Sequence, residues 1–198
     1  MTHSLHRKGK EDDLKSDYVI LAMRAAGIHD KTPEVKQIAR QKLLRIGEIM
    51  DQHEPTNIMM DRLRRFSPAI TASFDNIKSV KQILQVLKQE DLGISIVVSG
   101  LISEIQKVVK DVGLQMHTVH LSLGVFGKKE LLPSEEILEL TTMCGHHCVS
   151  SQSVTHYVEQ IKKNKISLDA AAQELAKPCV CGIVNPTRVH RILNELLT

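Results

Sequence analysis

Aromatic residues are scarce in this chain, which has no Trp, two Tyr and three Phe among 198 residues. With so few rings available, the core must be built from aliphatic side chains and Met. Long apolar runs are also missing, and no stretch approaches the roughly 18 to 20 apolar residues that a membrane-spanning helix needs. The sequence therefore predicts a globular protein with an aliphatic core and no membrane contact.

Targeting and nucleotide-binding signals are absent as well. The opening residues, MTHSLHRKGKEDDLKSD, contain no apolar signal-peptide stretch. We therefore expect a cytoplasmic protein, where disulfides are rare and cysteines serve metal or redox chemistry. A formal net charge of +3 is too small to indicate a nucleic-acid partner. No P-loop, dinucleotide fingerprint or Ser-His-Asp arrangement is recognisable, so no enzyme class is indicated.

The first 66 residues read as a polar arm followed by helices. Residues 1–11 are expected to be loosely held. A first helix is predicted to begin at Asp12 and end at Gly27, with an apolar face of Leu14, Tyr18, Leu21, Ala22 and Ala25. A second helix is predicted to begin at Thr32-Pro33, and a short third one to run from about Asn57 to Phe66.

Residues 69–125 alternate between strand and helix patterns. Strands are predicted at Ala69–Phe74, Ile94–Val98 and Met116–Val125, with helices at Asn76–Leu87 and from Leu101 to Val112 between them. This β-α-β-α-β order predicts an α/β fold with a small parallel sheet, right-handed crossovers and the N-terminal helices as cover.

The carboxyl ends of these strands are a candidate ligand site, because ligands favour that edge of a parallel sheet. Asp75, Asn76, Ser99 and Gly100 lie there, and Ser99-Gly100 could present backbone N–H groups to an anion. A single Gly in a turn is weak support, so the hypothesis of a cofactor-binding site competes with that of ordinary turns.

The last third reads as helical and carries every cysteine of the chain. We predict a helical arm and α/β domain over residues 1–131 and a helical four-cysteine module over 132–198. The cysteines form a C-x3-C pair, Cys144 and Cys148, and a C-x-C pair, Cys179 and Cys181, separated by thirty residues that read as two short helices. Each cysteine lies beside a predicted helix end, where free N–H groups stabilise thiolates. Four thiols placed in this way are predicted to meet around one metal centre.

An iron–sulfur cluster, [2Fe-2S] or [4Fe-4S], is the first hypothesis for that centre, and zinc is the second. Structural zinc sites generally use C-x2-4-C at both ends, whereas two thiolates in C-x-C spacing are more easily accommodated by a cluster. The remaining alternative is four inert buried thiols. His146 and His147, between the first two cysteines, are interpreted as neighbours that tune the site rather than as ligands.

The segment C-VSSQSVTHYVEQIKKNKISLDAAAQELAK-PC resembles, over about residues 144–198, the helix-turn-helix [2Fe-2S] domain of bacterioferritin-associated ferredoxin. That family places its C-x-C pair first and a C-x2-C pair second, whereas here C-x3-C precedes C-x-C. The resemblance implies that the four cysteines are cluster ligands and that the module passes or senses electrons.

Three functions remain open at this point. The first is a cytosolic iron–sulfur protein that transfers electrons to a protein partner or senses redox state. The second is a zinc-stabilised helix-turn-helix that binds DNA through Lys162, Lys163, Lys165, Arg188 and Arg191, although its second helix is acidic and poorly suited to a major groove. The third is an enzyme with a ligand at the strand ends and a structural cluster. The oligomeric state is not indicated.

Overall fold

The computed structural model describes residues 7–198, so most of the predicted N-terminal arm, residues 1–6, lies outside the described residues. Within this range no helix is long and apolar enough to cross a membrane. The strands are β1 (Tyr18–Met23), β2 (Asn57–Ile58), β3 (Ala69–Phe74) and β4 (Ser95–Ser99). The helices are α1 (Glu11–Leu14), α2 (Pro33–Asp51), α3 (Asp61–Arg64), α4 (Ile77–Glu90), α5 (Ile102–Val112), α6 (Glu135–Thr141), α7 (Ser151–Lys162), α8 (Leu168–Ala176) and α9 (Pro186–Leu197).

The sheet has the order β2-β3-β1-β4, and every neighbouring pair is antiparallel. The prediction of a parallel β-α-β-α-β sheet is therefore wrong, although the α/β class is right. β3 and β4 do run in the same direction and are joined through α4, but β1 lies between them. The error arose at Tyr18–Met23, because a short apolar run cannot be told from a buried helix segment by its periodicity.

The third predicted strand, Met116–Val125, is not part of the sheet. Residues 114–128 have no regular secondary structure, and most of their side chains are exposed. β4 is consequently an edge strand of the sheet. The short predicted helix at Asn57–Phe66 is also mostly wrong, because its first residues form β2 and only Asp61–Arg64 is helical.

The two faces of the sheet are covered by different parts of the chain. Tyr18, Ile20 and Ala22 of β1 pack into a core with α2, α4 and α5. Val19, which points to the opposite face, packs with the helices of the C-terminal module. The central strand is thus buried on both sides, and the regions on either side of the predicted boundary at residue 131 meet across it.

Helix starts follow capping signals that the sequence displays. Thr32, Asn76, Ser150, Ser167 and Asn185 each accept a backbone N–H from the first turn of the helix that follows. Such caps satisfy donors that would otherwise lack a partner. They fix where α7, α8 and α9 begin, and therefore where the loops that carry the cysteines lie.

Candidate metal centre

The four cysteines occupy two loops at the same end of the C-terminal helices. Cys144 and Cys148 lie between α6 and α7, and Cys179 and Cys181 lie between α8 and α9. All four are free thiols. Cys144 and Cys179 are buried, whereas Cys148 and Cys181 are half-buried. The packing of α8 against α9 and of α6 against α7 and α9 brings the two loops together.

Thiols of the two cysteine loops approach each other. Sγ of Cys179 lies 3.8 Å from Sγ of Cys144, across 35 positions of the chain. The thiol of Cys148 interacts with both of these sulfurs. Cys181 lies in the same loop as Cys179, and its Sγ is 3.6 Å from Nδ1 of His146 in the other cysteine loop. A tetrahedral metal with thiolates at about 2.3 Å places neighbouring sulfurs about 3.8 Å apart, so the Cys144–Cys179 separation matches one edge of such a tetrahedron.

Hydrogen-bond donors surround the two buried sulfurs. The thiol of Cys179, followed by the backbone N–H groups of Cys148 and His146, lowers the pKa of Cys144 to about 4. The backbone N–H groups of Ile183 and Val184 point at the sulfur of Cys179. Such N–H donors stabilise negative charge on sulfur, so the loops are suited to thiolate ligands.

The other three thiols hold their protons more tightly in the metal-free chain. The hydrogen bond to Cys144 and burial raise the pKa of Cys179. Burial and the neighbouring Cys144 charge raise the pKa of Cys148 to about 11, and the same two causes raise that of Cys181. A metal that binds here would therefore have to displace protons from these thiols.

The second cysteine loop is held by the sheet. The Thr71 hydroxyl on β3 donates to the carbonyl of Cys181. The Met60 N–H donates to the Val180 carbonyl at 3.2 Å, and the Asn57 amide donates to the Val184 carbonyl at 2.9 Å. The α/β region thus fixes the position of the C-x-C pair.

Gly182 makes this docking possible. Its φ is +68°, and a Cβ at this position would clash with the backbone of Ile58 and Met59. Only glycine combines this conformation with so close an approach of two backbones. The loop therefore follows the edge of the sheet in direct backbone contact.

Arg7 joins the two cysteine loops to each other. Its side chain is 6% exposed, and its Nη1 forms an ion pair with the buried Asp17. Its Nη2 donates to the Met143 carbonyl at 3.2 Å and also to the Ile183 carbonyl. These carbonyls lie beside the first and the second cysteine loop, so one guanidinium holds both.

Two histidines lie at the solvent side of the thiols. Nδ1 of His146 is 3.6 Å from Sγ of Cys181, and both His146 and His147 are exposed. His147 has a left-handed backbone with φ of +57°, as the turn after Cys144 requires. The site is therefore closed towards the protein interior and reachable from the side of these histidines.

The predicted ligand site at the strand ends is a different region. Asp75-Asn76 follow β3, and Ser99-Gly100 stand at the end of β4, of which Ser99 is the last residue. Both strands end beside Tyr18 and Val19 of β1. The Asn76 side chain caps α4 and donates to the Asp75 carboxylate at 3.0 Å. Gly100 lies against the ring of Tyr18, where a Cβ would clash. The four residues share one edge, but three of them have these structural roles.

Among residues 7–198 no group of three or more His, Cys, Asp or Glu side chains has the arrangement of a preformed metal site. Comparison with protein-family models, with curated proteins and with solved structures found no match to this chain. The case for a function therefore rests on the chemistry of the thiols and their surroundings.

Sequence reasoning found the cysteines but missed the residues that position them. Thr71, Asn57 and Arg7 lie more than 100 positions from the loops that they hold. No local pattern links residues so distant. Gly182, directly after the C-x-C pair, was the one visible signal of a close backbone approach.

Proposed function

We propose that this chain is a cytosolic iron–sulfur protein in which Cys144, Cys148, Cys179 and Cys181 hold one cluster for electron transfer or redox sensing. The observation that carries the proposal is the 3.8 Å approach of Cys144 and Cys179, with Cys148 and Cys181 beside them. The four cysteines come from two loops, and the closest sulfurs, those of Cys144 and Cys179, belong to different loops. A chance cluster of inert thiols would not need N–H donors directed at its sulfurs.

The surroundings support a bound thiolate cluster. The cysteines would hold the irons, and the N–H groups directed at Cys144 and Cys179 would stabilise the negative charge of the cluster and tune its potential. Burial of these two sulfurs limits the access of water to one side. The bound cluster would supply one-electron redox chemistry.

The open side of the site suits exchange of electrons with a protein partner. Cys148 and Cys181 are half-buried, and the exposed His146 and His147 border them. A partner that contacts this surface would approach the cluster without any opening of the fold.

Zinc remains the alternative occupant, because a single zinc tetrahedron also has a sulfur–sulfur edge of about 3.8 Å. The DNA-binding role attached to that alternative has less support. Arg188 is fully buried, and Arg191 pairs with Asp13 at 2.6 Å. Of the five basic residues proposed to contact DNA, Arg188 is therefore inaccessible, and the half-exposed Arg191 is held in an ion pair.

The hypothesis of an enzyme with a ligand at the strand ends has one supporting observation. Asp75, Asn76, Ser99 and Gly100 lie at the same edge of the sheet. No thiol lies in that region, so a cluster would be structural in such an enzyme. Substitution of Asp75 would weaken a ligand bound there and leave the metal content unchanged.

Metal and acid-labile sulfide content after oxygen-free purification tests the proposal. We expect brown protein with iron and sulfide in equal amounts, and loss of both in Cys144→Ser and Cys179→Ser. Ser151→Ala, at an exposed part of α7, is the control and should retain the cluster. Colourless protein with stoichiometric zinc would support the alternative. Protein with neither metal and four reactive thiols would contradict both.

A further inference from the structure

Phe66 is the centre of an exposed surface formed by three separate parts of the chain. Its ring is 80% exposed, and Met60, just before α3, is 44% exposed. The guanidinium carbon of Arg40, on α2, lies 5.9 Å from the centroid of this ring. The backbone N–H of Arg24, directly after β1, donates to the Pro68 carbonyl at 3.0 Å. We call the following set the Phe66 surface: Arg24, Arg40, Met60, Arg62, Arg65 and Phe66.

The arginines of the Phe66 surface differ from the other arginines in lacking an acidic partner. The chain has nine Arg. Five of them form ion pairs with Asp or Glu: Arg7, Arg45, Arg64, Arg188 and Arg191. The remaining four are those of the Phe66 surface, and within residues 7–198 none of their side chains forms an ion pair or a hydrogen bond. Each of these guanidiniums can still take up a carboxylate by two parallel hydrogen bonds.

Arg64, in the same helical turn, has a structural role instead. Its side chain is 15% exposed and pairs with Asp51 at 3.4 Å. Its Nε donates to the Met59 carbonyl at 2.9 Å. These contacts hold α3 against the end of α2, whereas Arg62 and Arg65 on either side are exposed. One arginine therefore fixes the turn, and its two neighbours face solvent.

The positive charge of the chain is concentrated in the segments that meet at this surface. Residues 24–42 and 61–66 contain eight Lys or Arg and three Asp or Glu, whereas the rest of the chain contains 18 and 20. The formal net charge of +3 is thus the sum of a basic region and a slightly acidic remainder. Such a distribution attracts an acidic partner and orients it during the approach.

The composition of the Phe66 surface favours a protein partner over a nucleic acid. Arg, Phe and Met are enriched at protein interfaces, and Lys is depleted there. Residues 57–74, which contain most of the surface, have no Lys. A nucleic-acid backbone is instead usually followed by a longer groove of both Lys and Arg. An exposed ring among unpaired guanidiniums is typical of the energetic centre of a protein interface.

The Phe66 surface adjoins the second cysteine loop. The backbone N–H of Met60 donates to the carbonyl of Val180, which lies between Cys179 and Cys181. Phe66 follows Met60 by six residues of helix and turn, a distance of about 9 Å along a helix. A protein bound at Phe66 would therefore lie beside the C-x-C pair.

We propose that the Phe66 surface is the docking site of an acidic protein. Phe66 would be the central anchor, and carboxylates of the partner would pair with Arg62 and Arg65. The docking itself needs only this surface. The identification of the bound protein as the one that exchanges electrons with the metal centre rests on the proposed function.

Fluorescence anisotropy with labelled flavodoxin, a small acidic electron-transfer protein, tests the docking. Arg62→Gln with Arg65→Gln should raise the Kd about tenfold or more at low salt and make it less dependent on salt, because two exposed charges are lost. Lys78→Gln with Lys110→Gln is the matched control, since it removes the same charge from exposed positions on α4 and α5, and should change neither quantity. Circular dichroism should be the same for both variants and the natural chain.

Phe66→Ser separates the anchor from the charges. This variant should also raise the Kd about tenfold but leave its salt dependence unchanged, because no charge is lost. Benzoylphenylalanine at position 60 should form photo-cross-links to flavodoxin, since Met60 lies between Phe66 and the cysteine loop.

Four results would overturn the proposal: no binding of flavodoxin, equal losses in the two double variants, no cross-link from position 60, or binding of a thymidine oligonucleotide in place of flavodoxin. Iron content is measured on the same samples. Binding by protein without iron would support the docking site and contradict only the proposed function. Iron-loaded protein that does not bind would contradict only the docking site.

Discussion

Arg188 and Asp17 form an ion pair with both side chains fully buried, at 2.9 Å between Nη1 and Oδ2 and across 171 positions of the chain. Asp17 immediately precedes β1, and Arg188 lies in the first turn of α9, just after the second cysteine loop. Arg188 also pairs with Asp13, and Asn185 donates to the Asp17 carboxylate at 3.3 Å. The network therefore connects the residue before β1 with α9, the helix that follows the second cysteine loop.

Loss of Arg188 should be strongly destabilising, because the fully buried Asp17 would keep only Arg7, and the half-buried Asp13 only Arg191, as ion-pair partners. We expect Arg188→Met to lower the free energy of unfolding by about 3–5 kcal/mol, measured by urea denaturation. Lys163→Met is the control, since Lys163 and Glu159 form an exposed pair at 3.3 Å, and should cost less than about 1 kcal/mol. Equal losses in the two variants would contradict the role given to the network.

Variants at Gly182 and Gly27 distinguish the cost of backbone strain from the cost of a steric clash. Their φ angles are +68° and +74°, but a Cβ at position 27 has no neighbour within 4 Å. Gly27→Ala should therefore cost only the left-handed backbone penalty of about 1–2 kcal/mol. Gly182→Ala should cost about 1–3 kcal/mol more, because its Cβ would clash with β2. Urea unfolding gives both values.

The same pair of variants reports on the cysteine loop. Gly182→Ala should also speed modification of Cys181 by a thiol reagent in metal-free protein, because the loop must move away from Ile58. Gly27→Ala should leave that rate unchanged. Similar stabilities and rates in both variants would show that the docking on the sheet does not position the loop.

The sequence predicted well those features that depend on neighbouring residues. The strand Ala69–Phe74 and the starts of the helices at Pro33, Leu168 and Pro186 agree with the structure, because caps and short alternating runs are encoded by neighbouring residues. The approach of Cys144 to Cys179 also has a local origin, since the helical hairpin between the two cysteine pairs returns the chain to its starting point.

The sequence could not predict features that depend on tertiary contacts. Tyr18–Met23 is apolar at every position, and only its placement between β3 and β4 shows that it is a strand buried on both faces. Met116–Val125 has the residue alternation of a strand, but it takes up no regular secondary structure. The β-propensity of this segment is not matched by tertiary contacts, and packing against neighbouring strands decides whether a strand forms.

The ion pair between Arg45 on α2 and Glu90 on α4 makes the free energy of unfolding depend on pH. Nη2 of Arg45 is 2.6 Å from Oε1 of Glu90, and this hydrogen bond lowers the pKa of Glu90 below its ordinary value of 4.5. As pH falls, the unfolded chain takes up this proton before the folded one. The stabilisation is thus present above pH 4.5 and is lost as pH falls through the lowered folded value.

Glu90→Gln should remove this part of the acid sensitivity. Urea unfolding at a series of pH values below 4.5 should show a smaller loss of stability in this variant than in the natural chain. Glu48→Gln is the control, because Glu48 contacts the same guanidinium at 3.2 Å without bridging two helices. A slope unchanged by Glu90→Gln would contradict the assignment.

Arg7 holds the two cysteine loops together, and its loss should expose the buried thiols. In reduced, metal-free protein, Arg7→Met should speed thiol modification of Cys144 and Cys179 by about tenfold or more, since hydrogen bonds from a charged group contribute about 1.5–3 kcal/mol and local opening governs access. Lys8→Met, which removes an exposed ion pair with Glu135, should leave the rate of thiol modification unchanged. Arg7→Lys should lie between them, because an ammonium cannot serve both carbonyls and Asp17 in one plane. Equal rates in Arg7→Met and Lys8→Met would show that the loops are held by the sheet alone.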